Sequence, residues 1–310
     1  MKVSVLCMAY NHEKYIRSAL DGFVSQKTDF DYEVIVHDDA STDGTAGIIR
    51  EYAEKYPNLI KPIYQTENQY SKKDIVREIM VPVSTGRYIA TCEGDDYWID
   101  ENKLQLQADF LDRNPEYSAC AHNSYKLEMM TNQKTVMYDR ADYDIQTPDV
   151  LCGGSCCYQT ASLMYRREYI EEIPQFLHNG RLDYMFAIHL SLKGPIRFFN
   201  RIMSVYRVGT ESSWTKNNRR NMHRNALFHK FVSIKLREID EYTNHAYGEQ
   251  IEDLILYNDY KELYFDEKYS EMRQPKYRKL YQQESMSDKI KMRLKHHFSG
   301  LYHLYRRIKY

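Results

Sequence analysis

Short apolar runs alternate with amphipathic ones along the first hundred residues. "KVSVLCMAY" is brief, apolar and bounded by "NHEK", which predicts a buried strand. In "EKYIRSALDGFVSQ", Tyr15, Ile16, Ala19, Leu20 and Phe23 recur at helical spacing. The alternation then repeats. "YEVIVHDDAS" predicts a second strand, "TDGTAGIIREYAEKY" a helix ended by Pro57, and "IKPIYQTEN" a third strand. "KKDIVREIMVPVS" reads as a third helical segment that Pro82 must end or kink. "RYIATCEGDD" is the fourth predicted strand, and "DENKLQLQADFLDRN" the fourth helix, with Asp100 as its N-cap and Pro115 just past its end.

Strands alternating with helices imply a mostly parallel α/β sheet built from right-handed crossovers. Ligands of such sheets bind beyond the carboxyl ends of the strands. Those ends here carry "AYN", "HDDAS", "QTEN" and "EGDD", one polar rim on four apolar strands. The pattern changes further on. "SACAHNSYKL", "KTVMYD" and "CYQTASLMYRR" predict strands of mixed direction. "YIEEIPQFLHNG" and "DYMFAIHLSLKG" read as helical, and "IRFFNRIMSVYRVG" as a strand or hairpin. From about Trp214 the pattern is nearly continuously helical and rich in Lys, Arg and Tyr. The expected division is therefore an α/β domain over 1–215 and a helical extension over 216–310.

Composition narrows the class without naming a partner. Apolar residues at 43% and charged residues at 28% are globular proportions. A net charge of −1 gives no global attraction to nucleic acid, and no basic groove interrupts the first two thirds. Cys7, Cys92 and Cys120 sit in apolar runs, where cysteine behaves as a small hydrophobe. "CGGSCC" lacks a CxxC pair and a histidine at zinc spacing. No apolar stretch approaches the roughly 18 residues that cross a bilayer. These features lead to the expectation of a cytoplasmic protein with reduced thiols.

Neither GxGxxG nor GxxxxGK[ST] occurs, so backbone amides after the first strand do not cradle a phosphate. The chemistry concentrates instead in "ATCEGDDYW". Glu93, Asp95 and Asp96 crowd three carboxylates into four positions, an arrangement that is either solvated or neutralised by a cation. A position at the end of the fourth strand, beside the acidic end "HDD", favours Mg2+ or Mn2+ bridging carboxylates and a diphosphate. His122 and His189 lie among apolar residues and read as core.

"VSVLCMAYNHEKYI", "YEVIVHDDASTDGT", "TGRYIATCEGDDYW" with "KLQLQADFL", and "RLDYMF" together resemble the successive motifs of family 2 glycosyltransferases with the GT-A fold, over about residues 2–215. The resemblance implies a metal-dependent, inverting transfer from a nucleotide-sugar to a glycan or lipid-linked hydroxyl in surface-polysaccharide synthesis. UDP ranks ahead of dTDP and GDP. It implies that Tyr10 and Asn11 border the nucleoside, that Asp39 accepts a hydrogen bond from the base, and that Asp38 and Ser41 shape that loop. Asn68 lies near the nucleotide. Asp95 and Asp96 hold the metal with Glu93 in support, since this chain has Glu93 where an Asp is common. Asp183 in "RLDYMF" is the implied base, although a carboxylate at a helix start is also a good cap. Tyr206, Arg207 and Ser213 would close a loop over the diphosphate. Tyr97 and Trp98 wall the sugar pocket or join the core.

In the last segment, Ile290, Leu294, Phe298, Leu301, Tyr305 and Ile308 form a stripe flanked by Lys289, Lys291, Arg293, Lys295, Arg306, Arg307 and Lys309. A basic amphipathic helix suits an anionic membrane surface on the inner face, or packing on its own domain or a second subunit. Two other functions compete. A sugar nucleotidyltransferase would carry a glycine-rich basic first loop, absent here, and a non-catalytic nucleotide-sugar sensor or membrane scaffold would not need Asp183.

Overall fold

The computed structural model describes residues 1–178, 183–210 and 221–297. Contacts divide the chain into two compact units, Met1–Ser213 and Trp214–Tyr310.

In the first unit the predicted alternation is present. β1 (Val3–Ala9), α1 (Ile16–Val24), β2 (Tyr32–Asp38), α2 (Thr45–Lys55) and β3 (Ile60–Tyr64) follow in order. The third helical segment is a π-helical turn over Ile75–Met80, continued by a 3₁₀ turn in which Pro82 ends the run. β4 (Tyr88–Thr91) stops before the carboxylates, so residues 92–96 form a loop ahead of the short β5 (Tyr97–Trp98). α3 (Lys103–Arg113) begins at an N-cap Asn102 whose side chain makes no capping bond. Asp100 is not the cap. Its carboxylate accepts the Asn102 amide at 2.9 Å and pairs with Arg201 at 2.6 Å.

Beyond α3 lie β6 (Ala119–Glu128), β7 (Gln133–Val136), β8 (Tyr143–Ile145), α4 (Thr147–Gly153), β9 (Met164–Arg166), α5 (Glu168–Glu171), α6 (described from Asp183 to Lys193) and β10 (Ile196–Val208). Much of the third predicted strand of this half is a 3₁₀ turn over Thr160–Ser162, with only its end in β9.

The strands join in one sheet of order β3-β2-β1-β4-β9-β6-β10-β5, with β7 on β6 and β8 on β10. β1 runs parallel to β2 and β4, and β2 parallel to β3. β9 runs antiparallel to β4 and β6, which makes the second half mixed. Chain order reverses at β1, with β2 on one side and β4 on the other. The ends of β1 and β4 therefore flank the crevice where such sheets bind ligands.

Val3, Val5, Cys7, Leu20, Phe23, Val36, Leu104 and Leu111 share one buried cluster, so α1 and α3 cover the same part of the sheet. Each such side chain contributes about 1.5–3 kcal/mol by leaving water. Trp98 belongs to this core: it is 3% exposed, meets Phe23 edge-on at 4.8 Å and donates Nε1–H to the Ala161 carbonyl. Cys7, Cys92 and Cys120 are buried free thiols, as their apolar runs indicate. His122 and His189 are fully buried, each bonded to a backbone carbonyl, and burial lowers both pKa values.

The second unit is helical, with helices over Met222–Tyr242, Gly248–Phe265, Arg278–Gln283 and Met286–His297. Tyr260, Tyr269, Met272, Tyr277 and Met292 form its own apolar cluster. Met292 points into this cluster, whereas Ile290 is about half exposed. The rest of the predicted stripe, from Leu294 onward, lies outside the described side chains. Among the described residues no helix is long and apolar enough to cross a membrane.

Candidate active site

Four strand ends meet here through side chains that tie one loop to the next. Asn11 takes a left-handed backbone, φ 55°, just past β1. Its amide donates to Ser41 Oγ at 2.9 Å, and its Oδ1 accepts the Thr42 amide at 2.8 Å. The His12 amide donates to Thr45 Oγ1 and the Glu13 amide to Asp43 Oδ2. Asn11, Ser41 and Asp43 thus lock the β1 and β2 loops together. Tyr10, at the same rim, is 42% exposed.

Asp39 is buried and does similar work for the loop after β3. Its Oδ1 accepts the Gln69 amide at 2.7 Å and its Oδ2 the Tyr70 amide at 3.1 Å, while Asn68 Nδ2 donates to its carbonyl. Each carboxylate oxygen keeps a second lone pair. Asp38 is also buried, yet its Oδ1 has no partner among the described residues.

The acidic loop is held from several sides. Asp96 is 2% exposed, its Oδ1 accepting the Arg207 amide at 2.8 Å and its Oδ2 accepting Gln159 Nε2 at 2.7 Å. Burial first, then Asp95 and Glu93, pushes its pKa well above the carboxylate range. Asp95 is less enclosed, with a side chain 20% exposed. Its Oδ2 accepts Thr210 Oγ1 at 3.2 Å and lies 4.0 Å from His12 Nε2. Arg207 reaches the loop from β10: Nη1 donates to the Asp95 carbonyl at 2.7 Å and Nη2 to Ser18 Oγ. Its guanidinium stands over the Tyr97 ring at 4.3 Å and the Tyr15 ring at 5.3 Å. Among the expected lid residues, Arg207 therefore anchors the loop, and Ser213 lies outside the described residues.

Asp183 opens α6 and is exposed. The neighbouring Tyr184 donates its hydroxyl to the Leu151 carbonyl at 2.9 Å, which fixes the start of that helix. Tyr70, although 67% exposed, has its phenol pKa raised by the protein around it and then by the Asp183 carboxylate.

Sequence reasoning missed His12, Gln159 and Thr210. His12 stands inside the quoted "NHEK", three positions past β1, so the sequence offered it. Gln159 and Thr210 carry no local signal, because only the fold brings them to Asp95 and Asp96.

Among the described residues no three His, Cys, Asp or Glu side chains converge on one point. A closed protein cage for a cation is thus not formed. The donor set instead suits Mg2+ or Mn2+, which are commonly held by one or two carboxylates plus ligand phosphates. Asp95, more accessible than the buried Asp96, fits that role.

A mixed sheet with an acidic loop at its switch point defines the GT-A class of fold. Residues 4–174 match the family described as Glycosyl transferase family 2, and the chain belongs to it. Rv1520 of Mycobacterium tuberculosis is 36% identical over 226 residues, 68% of this chain and 60% of its own length. The chain thus spans less than two thirds of that relative. The crystal structure of Staphylococcus aureus TarS 1–349 in complex with UDP-GlcNAc superposes with a TM-score of 0.61 at 19% identity, covering 86% of this chain and 73% of that one. A mannosyltransferase from Pyrobaculum calidifontis, solved with GDP-Man and Mn2+, gives 0.54 at 16% identity over 99% and 82% of the two chains.

Proposed function

We propose that this chain is a metal-dependent, inverting glycosyltransferase. It moves a sugar from a nucleoside diphosphate, UDP first among them, to a hydroxyl of a glycan or lipid-linked acceptor in surface-polysaccharide synthesis. The observation that carries the reading is that the acidic loop and the Asp39 loop leave one end of the sheet on either side of β1. Asp183, at the start of α6, is assigned as the base from the family resemblance. The nucleotide-sugar named in the TarS complex and the Mn2+ in the mannosyltransferase complex support it.

Tyr10 borders the nucleoside, and Asp39 accepts from the base through a remaining lone pair. Asp38 Oδ1 and Asn68 lie on the same side. Asp95, with Asp96 and Glu93 behind it, would hold Mg2+ or Mn2+, whose charge offsets that of the departing diphosphate. Asp183 takes the proton of the acceptor hydroxyl as its oxygen bonds to the anomeric carbon from the face opposite the leaving group. No acid is needed on the leaving side. The basic end of the chain docks on anionic lipid, beside a lipid-linked acceptor.

A UDP-release assay with a panel of UDP-sugars tests the assignment. Asp183→Asn should lower turnover by roughly a hundredfold or more, the usual contribution of a general base. It should leave the UDP-induced rise in melting temperature unchanged. Undiminished turnover in that variant removes Asp183 from the chemistry.

A further inference from the structure

We propose that Gln159 is a positioning residue for the acidic loop, orienting the Asp96 carboxylate through its side-chain amide. Gln159 is 5% exposed, and its Nε2 lies 2.7 Å from Asp96 Oδ2. Asp96 is thereby gripped between two N–H groups from different parts of the fold, Gln159 Nε2 on one oxygen and the Arg207 amide on the other.

The other end of the same amide shows what this arrangement costs. Gln159 Oε1 is buried and has no partner among the described residues. With a cation in the loop Asp96 is ionised and only accepts, so turning the amide over would then set oxygen against oxygen. The side chain holds the orientation that serves Asp96 and leaves its own acceptor unpaired, a sacrifice that a merely space-filling glutamine would not require.

The turn that carries Gln159 is fastened to both flanks of the loop. Thr91 Oγ1, just before the loop, donates to the Thr160 carbonyl at 2.8 Å, and Trp98 Nε1, just after it, to the Ala161 carbonyl at 2.8 Å. Gln107 Nε2 donates to the Ser162 carbonyl, and Ser162 Oγ to the Gln159 carbonyl. Residues 91–98 therefore lie across residues 159–162 at three points, and Asp96–Gln159 is the middle one.

The inference rests on reading the loop as a cation site, and Mn2+ titration of the full chain tests both. Binding is followed by electron paramagnetic resonance, with and without UDP, in the native protein, Asp95→Ala, Gln159→Met and Gln159→Glu. Methionine keeps length and removes the donor, while glutamate keeps shape and sets a like charge against Asp96. Both Gln159 variants should weaken Mn2+ by roughly tenfold or more, the usual effect of losing an outer partner of a metal ligand. Saturating Mn2+ should restore most of kcat in Gln159→Met, a recovery that a general packing defect would not give. Mn2+ affinity within twofold of native in both variants overturns the role of Gln159. So does a rate that no Mn2+ concentration restores. If Asp95→Ala binds Mn2+ as the native protein does, the cation reading fails and the role of Gln159 falls with it. Loss in Asp95→Ala with native binding in the Gln159 variants sinks the brace alone.

Discussion

Glu33, at the far end of the sheet from the acidic loop, shows how a buried carboxylate is made tolerable. It is fully buried, and its Oε1 accepts from Ser4 Oγ, the Thr85 amide and Thr85 Oγ1, while Lys61 pairs with Oε2. Burial alone would raise its pKa, but Lys61, Ser4 and Thr85 outweigh it and hold the group at about 2. A depressed carboxylate stabilises the fold fully above its unfolded value and loses that contribution as pH falls through the folded one. Lys61 is nearly half exposed, so screening trims the gain to about 2 kcal/mol. Thermal melts of the native protein should therefore fall steeply from about pH 4.5 to pH 2 on this account. Glu33→Gln should start lower at neutral pH and flatten that slope; parallel curves would refute the assignment. Gly94 presents the converse case, a residue defined by what it lacks. A Cβ there would stand 2.8 Å from Ile16 Cδ1 and 2.9 Å from His12 Nδ1, so either those side chains or the loop must shift to admit one. Gly94→Ala is expected to lower turnover by roughly a hundredfold, the scale of a displacement near 1 Å, with only a small change in melting temperature. Unchanged turnover would show that the loop position is not critical.

Lys103 carries its amine on the buried face of α3. Its Nζ reaches Gln107 Oε1 at 2.7 Å and stands 4.0 Å from the Trp98 ring centre. Burial lowers its pKa from 10.5 to about 7, with Cys92 and Cys120 opposing. Between those values the unfolded chain binds a proton that the folded one does not, so stability should rise with pH through that window. Melting temperature measured from pH 7 to 9 should climb in the native protein and climb less in Lys103→Met. Identical slopes would place the lysine's titration elsewhere. The α3 periodicity was legible because Leu104, Ala108 and Leu111 repeat on one face, yet nothing local revealed that Lys103 shares it. The same limit hid β5 and β8, two and three residues long, which are too short to show a period of two. α4 was obscured by its run into "CGGSCC", although Gln146 and Asp149 form a capping box at its start. β1, β2 and β4 were readable because parallel strands buried on both faces are continuous apolar runs. In the site, density of carboxylate marked residues 93–96 without any fold. The partners of those carboxylates were invisible, since Gln159 and Arg207 lie 63 and 111 positions away from Asp96.

At the scale of the whole molecule, charge is segregated although the total is near zero. Residues 286–310 hold seven Lys and Arg against Asp288 alone, so the remaining chain carries seven more carboxylates than cations. An acidic catalytic unit by itself would be repelled by an anionic bilayer, whereas the cationic end is drawn to it by about 1 kcal/mol per basic residue near the surface. Apolar contact must supplement that attraction, and Met286 and Ile290 are 72% and 52% exposed on the helix that leads into the segment. The native chain should co-sediment with vesicles containing phosphatidylglycerol and not with pure phosphatidylcholine. Binding should weaken several-fold as salt is raised from 0.1 to 0.5 M, because the Debye length shortens from about 10 Å toward 4 Å. Replacing Lys289, Lys291, Arg293 and Lys295 with Gln should weaken it more than Ile290→Asp, since the first change removes the long-range attraction and the second one contact. Equal binding to both vesicle types would remove the electrostatic account. Salt-insensitive self-association of the native chain, abolished by Ile290→Asp, would assign the same face to a second subunit instead.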